Sequence, residues 1–162
     1  MDRRVVDYLA RVDAIEPRLL SVARPYSGLT EADANSGDRW DALQAWGHIT
    51  EFVPYWIEQI EEVVDDYRGE PVPFGRAKAD PDRLAGIESG RSMDFDTHRH
   101  WLEVHLADLR GFLQALSGDS WAASGLHSRL GSMSLERMIE EFLVGHLEEH
   151  ADQLETLSTS EG

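Results

Sequence analysis

The chain is predicted to be all-α, a four-helix bundle running up-down-down-up with a long crossover between helices two and three. Three observations predict this. Apolar residues return at three- and four-residue spacings along four segments, and no segment alternates as a half-buried strand does. The connector 68–93 is far longer than the roughly 2–8 residues that join neighbouring bundle helices. Histidines far apart in the chain also come level only if the second and fourth helices are antiparallel. At 162 residues the chain is expected to form one domain, 1–162, able to bury roughly 70% of its unfolded surface.

Helix one is read over 2–23, with Val5, Tyr8, Leu9, Val12, Ile15, Leu19 and Val22 as its inner stripe. Pro17 removes one backbone donor there and is expected to bend it. Helix two runs over 40–67 on Leu43, Trp46, Phe52, Val53, Trp56, Ile57, Ile60 and Val64, with a second bend expected at Pro54. Inside the crossover, Asp80-Pro81 suits the start of one short helical turn. Helix three, over 95–117, shows Trp101, Leu102, His105, Leu109, Phe112 and Leu116 on one face. Helix four opens at Ser134, an N-cap, with Glu136 in the positive first turn. It continues without a break through Leu135, Met138, Ile139, Phe142, Leu143, Leu147, Leu154 and Leu157. Residues 158–162 are expected to fray.

Composition narrows the function. With 31 acidic against 15 basic residues the formal charge is −16, which disfavours nucleic-acid backbones as partners. There is no cysteine, so disulfides, thiolate ligands and a protein thiol nucleophile are excluded. Any sulfur chemistry needs a small molecule to bring the sulfur. No stretch approaches the roughly 20 apolar residues of a membrane span, and the first residues lack a signal-peptide run. A cytoplasmic protein is expected.

Chemistry concentrates in three histidines. His146 and His150 are one helical turn apart on the apolar stripe of helix four, so both imidazoles face the same way. Taken alone, His48 in helix two reads as a hydrogen-bonded core residue. Two adjacent buried imidazoles, however, cost several kcal/mol unless partners are found. His48 lies about 12 Å from the start of helix two, and the pair about 10–16 Å from the end of helix four. Antiparallel helices therefore bring all three to one height. Three neutral imidazoles leave a divalent ion with open positions, suiting Zn, Ni, Fe or Cu in a catalytic rather than a closed structural site. Glu51 and Glu149, each three residues after a candidate ligand, are placed to accept from the free ring nitrogen or assist proton transfer, although solvated surface charge is the plainer reading of both.

Other patterns fit less well. His146-Leu-Glu-Glu-His150 matches the H-x-x-E-H form of inverted zinc peptidases, but no acidic third ligand follows well downstream. Glu-x-x-His pairs of di-iron bundles are missing, since Ala45, Leu143 and Leu147 occupy those positions. In helix three, His105 is a pocket candidate beside its plainer reading as a core residue, while His98 and His100 are expected at the surface. The crossover carries Arg68, Arg76, Lys78, Arg83 and Arg91, the one mildly basic segment. Arg76 is thus a second pocket candidate, where a carboxylate-bearing substrate docks if this is not simply a neutral surface loop.

The segment Trp40-Asp-Ala-Leu-Gln-Ala-Trp-Gly-His48-Ile resembles the W-x7-H signature, followed by Leu or Ile, of DinB/YfiT-like proteins. His127-Ser-Arg-Leu-Gly131-Ser-Met-Ser134-Leu and His146-x-x-Glu149-His150-x-x-Gln153 resemble the end of the same domain, so the likeness covers nearly the whole chain. It implies an up-down-down-up bundle, often a homodimer, whose His48, His146 and His150 hold nickel, zinc or iron. Some relatives are similar to thiol-dependent S-transferases or maleylpyruvate isomerases that use mycothiol, bacillithiol or glutathione. The expected function is therefore a metal-dependent enzyme, a thiol S-transferase or a hydrolase, in which the ion activates a thiolate or water for attack on a small electrophilic substrate. Other members have no assigned reaction. The alternative is a non-catalytic, stress-related protein that binds a metal or a small ligand.

Overall fold

The computed structural model describes residues 1–34 and 36–159. Four long helical segments form the bundle: α1 (Arg3–Ser21), α2 (Ala42–Asp66), α4 (Phe95–Ala115), and the pair α5 (Leu135–Phe142) and α6 (Val144–Thr159). The crossover contributes β1 (Val72–Phe74) and α3 (Pro81–Arg91), and β2 (Ser124–His127) with β3 (Gly131–Ser134) precedes α5. Local chemistry explains most starts. Asp41 and Gln44 form a capping box on α2. Asp80 accepts from the Asp82 and Arg83 amides with Pro81 in the first turn of α3, and the Asp94 and Ser134 side chains cap α4 and α5. Both α1 and α2 continue through Pro17 and Pro54. Of the expected frayed end, Ser158 and Thr159 close α6, and 160–162 lie outside the described residues.

Cross-helix contacts give the directions. Arg4 reaches Glu136, Arg11 reaches Glu140 and Glu148, and Arg18 reaches Asp152 and Glu155, so α1 runs parallel to α5–α6. Arg110 pairs with Asp13 and Glu16 while Arg99 donates to the Ala23 carbonyl, so α4 is antiparallel to α1. His48 meets His146 and Trp56 stacks on Phe142, so α2 opposes α5–α6. The up-down-down-up order follows. Its core joins Val12, Ile15 and Leu19 to Trp46, Phe52 and Ile60, and to Leu106, Leu109, Leu113, Leu147 and Leu154, all essentially inaccessible.

Three expectations are corrected. Helix four is not continuous: at Leu143 (φ −123°, ψ −87°) the chain turns between α5 and α6. Phe142, Leu143 and Val144 are all buried on either side of this turn, and the Leu143 amide still bonds back to the Ile139 carbonyl. A small sheet also exists. Within it, β1 pairs parallel with β2 in the register Phe74↔His127, and β2 pairs antiparallel with β3. These strands are three or four residues long and contain Pro73, Gly125 and Gly131, too short and irregular to show a period of two. Finally, the crossover holds an 11-residue helix rather than one turn.

That helix matters for the site. It packs on α2 through Gly47 and Gly90: a Cβ at position 90 would lie 2.4 Å from the Gly47 Cα, and one at 47 would lie 2.5 Å from the Ile87 carbonyl oxygen. Only two glycines allow this approach, which sets α3 against the turn of α2 that carries His48. His98 clamps the same junction. Rather than lying at the surface, it is fully buried, donating from Nε2 to the Gly90 carbonyl (2.7 Å) and accepting at Nδ1 from the Thr50 hydroxyl (2.8 Å).

Candidate metal centre

The three histidines converge. His48 Nε2 is 3.2 Å from His146 Nε2, which is 3.3 Å from His150 Nε2. Among the described residues, these three form the group of His, Asp and Glu side chains close enough to share an ion, with one ligand atom from each within 4.8 Å of the others. Two nitrogens each about 2.0–2.1 Å from a tetrahedral ion are separated by about 3.3–3.4 Å. The observed spacing matches.

The far side of each ring explains the orientation. His150 Nδ1 lies 2.9 Å from Gln153 Oε1, His146 Nδ1 lies 3.5 Å from a Glu149 oxygen, and His48 Nδ1 lies 3.9 Å from a Glu51 oxygen. Each partner is three residues further along the same helix, one turn away. An amide oxygen and carboxylates only accept, so they favour the proton on Nδ1 and turn the Nε2 lone pairs toward one another. Converging lone pairs repel unless a cation lies between them, so the donor set fits a divalent metal. His48 Nδ1 and Glu51 Oε2 have no hydrogen-bond partner, leaving room for that contact to tighten.

Burial reinforces this electrostatic design. Desolvation, then the neighbouring His150 and His146 rings and the Arg83 and Arg76 charges, holds the pKa of His48 well below the usual histidine value. Desolvation, followed by His146, pushes His150 down to about 3. Both are therefore neutral, as ligands must be. The hydrogen bond from His146 lowers the pKa of Glu149. Burial raises that of Glu51 against the pull of its ion pair with Arg76.

The cluster forms one wall of a cavity of about 680 Å³. Trp40, Trp56 and Phe142 supply an apolar side, while Arg76, Lys78, Arg83 and Arg129 are interspersed with Glu31, Asp33, Asp38, Glu141 and Glu149. The Trp40 ring lies 5.0 Å from His48, positioned by a loop in which Thr30 bonds both the Trp40 amide and carbonyl. Arg76 is held between Glu51 and the Tyr55 ring, whose centroid is 3.7 Å from its guanidinium carbon. Lys78 pairs with Asp33 across the mouth. Arg83 donates to the Lys78 carbonyl and has no carboxylate partner among the described residues; burial lowers its pKa.

Of the expected site residues, His48, His146, His150, Glu51, Glu149 and Arg76 are brought together. His105 is not. It lies beside the α4 stripe of His98, Leu102, Leu106 and Leu109, stacked 5.6 Å from a Trp101 that is itself 38% exposed, and it does not line the cavity. Two residues lacked an assigned role in the sequence reading. Gln153 repeats the three-residue offset of Glu51 and Glu149, a signal open to view. His127, which also lines the cavity, sits in a strand too short to announce itself.

Fold and site together define a helical bundle with a three-histidine centre on the wall of an open cavity of mixed charge. The chain belongs to the DinB superfamily, whose family model matches residues 3–154. No curated protein matches it significantly. Among solved structures it is similar to the mycothiol-dependent maleylpyruvate isomerase, with a TM-score of 0.68 at 13% identity over 95% of this chain and 63% of that one. A histidine-to-alanine mutant of that isomerase gives 0.66 at 14% identity, again over 95% and 63%. An uncharacterized protein from Clostridium difficile 630 gives 0.65 at 7% identity over 96% of both chains. The chain thus spans less than two thirds of the isomerase's length. No described helix is long and apolar enough to cross a membrane.

Proposed function

We propose that the protein is a divalent-metal-dependent enzyme that transfers a low-molecular-weight thiol, or water, to a small carboxylate-bearing electrophile. The observation that carries this reading is the convergence of three Nε2 lone pairs on the wall of an open cavity. His48, His146 and His150 would hold nickel, zinc or iron. A bound ion of this kind supplies Lewis acidity that lowers the pKa of a thiol or water.

The chain's own groups do the rest. Gln153 and Glu149 orient His150 and His146, Glu51 stands 3.9 Å from His48 Nδ1 where it can accept from the ring, and Arg76 holds Glu51 in place. Arg83, which has no direct carboxylate contact among the described residues, offers its charge to a substrate carboxylate, and Trp40, Trp56 and Phe142 exclude water around its carbon skeleton. The sulfur–carbon bond forms as a π bond of the electrophile opens and takes up the thiol's proton. Because the chain has no cysteine, that sulfur comes from the cosubstrate. Mycothiol, named for the isomerase, is the first thiol to try, with bacillithiol and glutathione beside it. A cytoplasmic homodimer completes the reading.

The test uses untagged protein loaded in turn with nickel, zinc or iron. Each form is assayed for thiol consumption against unsaturated and keto acids. Turnover that needs both metal and thiol, or metal-dependent hydrolysis, is expected. Tight metal binding without turnover of any pair would point to a non-catalytic binder instead.

A further inference from the structure

A fourth imidazole lines the cavity outside the three-histidine group. His127 closes β2 and is 4% exposed. Its Nδ1 accepts the backbone N–H groups of Arg129 and Leu130, both at 3.2 Å. An N–H only donates, so Nδ1 carries a lone pair and the ring proton sits on Nε2. Burial, then the Arg129 charge, lowers the pKa, so the ring is neutral. Phe142 stacks on one face at 5.3 Å. The Nε2 edge meets no acceptor among the described residues.

Gly75 supplies a second, independent observation. At φ +90°, a Cβ there would lie 2.8 Å from His127 Cδ2 and 3.2 Å from Nε2. Any side chain at 75 would therefore cover the donor edge, and glycine leaves it open. His127 lines the cavity, and its Nε2 is not among the buried polar atoms that lack a partner, so the donor opens to the cavity where a ligand can take the place of water.

We propose that His127 is a ligand-binding residue whose Nε2–H, aimed by the Nδ1 bonds, donates to a carboxylate oxygen of the cavity's ligand. A carboxylate fits best because Arg83, in the same cavity, lacks an anionic partner among the described residues. The proposal rests on the reading that the cavity takes a small ligand, but not on turnover.

Nitrogen-15 spectra of histidine-labelled, metal-free protein near neutral pH test the tautomer first. A proton on Nε2 alone is expected for His127, and a proton on Nδ1 overturns the proposal whatever the metal does. Benzoate is then titrated into metal-loaded protein, followed by tryptophan fluorescence and by the His127 Nε2 resonance. His127→Asn keeps an oxygen where Nδ1 was, preserving the turn while removing the donor. His127→Gln places an N–H₂ where Nε2–H was. The asparagine variant and Gly75→Ala should each weaken binding by about tenfold or more, and the glutamine variant by about threefold or less. Wild-type affinity in the asparagine variant overturns the proposal, as does failure of the wild type to bind millimolar benzoate. Should the variants misfold, an Nε2 resonance unmoved by saturating benzoate overturns it equally.

Discussion

Removing the metal should leave a bundle that acid unfolds through its own histidines, and His150 gives the magnitude. Its pKa falls from an ordinary 6.5 to about 3 in the folded chain, because burial and His146 oppose charging. A histidine with a depressed folded pKa contributes stability above its unfolded value and loses it as pH falls below 6.5. Between pH 6.5 and 4.5 the unfolded chain takes up a proton at this position that the folded chain refuses. Each full unit of pH at one proton difference is worth about 1.4 kcal/mol, so His150 alone costs about 2 kcal/mol over that window. The assay is urea unfolding of metal-free protein at both pH values, beside His150→Leu, which has no proton to gain. Carboxylates contribute equally to both chains and cancel. Wild-type protein should lose about 2 kcal/mol more than the variant. Parallel pH dependences would refute the argument that His150 is buried and neutral.

Other outcomes follow from packing and orientation. Gly90→Ala drives a methyl group against the Gly47 Cα, so α3 must move off α2. It should cost about 1–3 kcal/mol in thermal unfolding, and weaken carboxylate binding because α3 carries Arg83. Gln153→Leu removes the oxygen facing His150 Nδ1 and should reduce metal affinity by about 10–100-fold in a chelator competition, with helicity by circular dichroism unchanged.

Much of this architecture was legible because helical periodicity and capping residues act locally. The stripes of α1 and α2, half of that of α4 (Leu102, Leu109 and Phe112), the caps at Asp80 and Ser134, and the common height of His48 with His146 and His150 all follow from rise per residue and spacing. Tertiary effects were less visible. The turn at Leu143 has no local signal, since the apolar stripe runs on through Phe142, Leu143 and Leu147 without a proline or glycine at the break. His98 looked like a surface residue beside Arg99 until α3 brought the Gly90 carbonyl to it. His105 looked like a pocket residue because Trp101 and Leu109 are apolar neighbours, yet Trp101 is turned to solvent. The β1 strand depends on pairing with a segment some fifty residues away, which local sequence does not encode, and the β2–β3 hairpin is too short to show an alternating pattern. They are also what place His127 at the cavity, with Gly75 against its ring.

The central claim is that three Nε2 lone pairs converge to hold a divalent ion. Untagged protein, purified without chelators and crystallised, should show one anomalous peak per chain within about 2.0–2.2 Å of Nε2 of His48, His146 and His150. His150→Ala should remove that peak while keeping the helices. A chain that carries no stoichiometric metal and takes up none from nickel, zinc or iron would contradict the account.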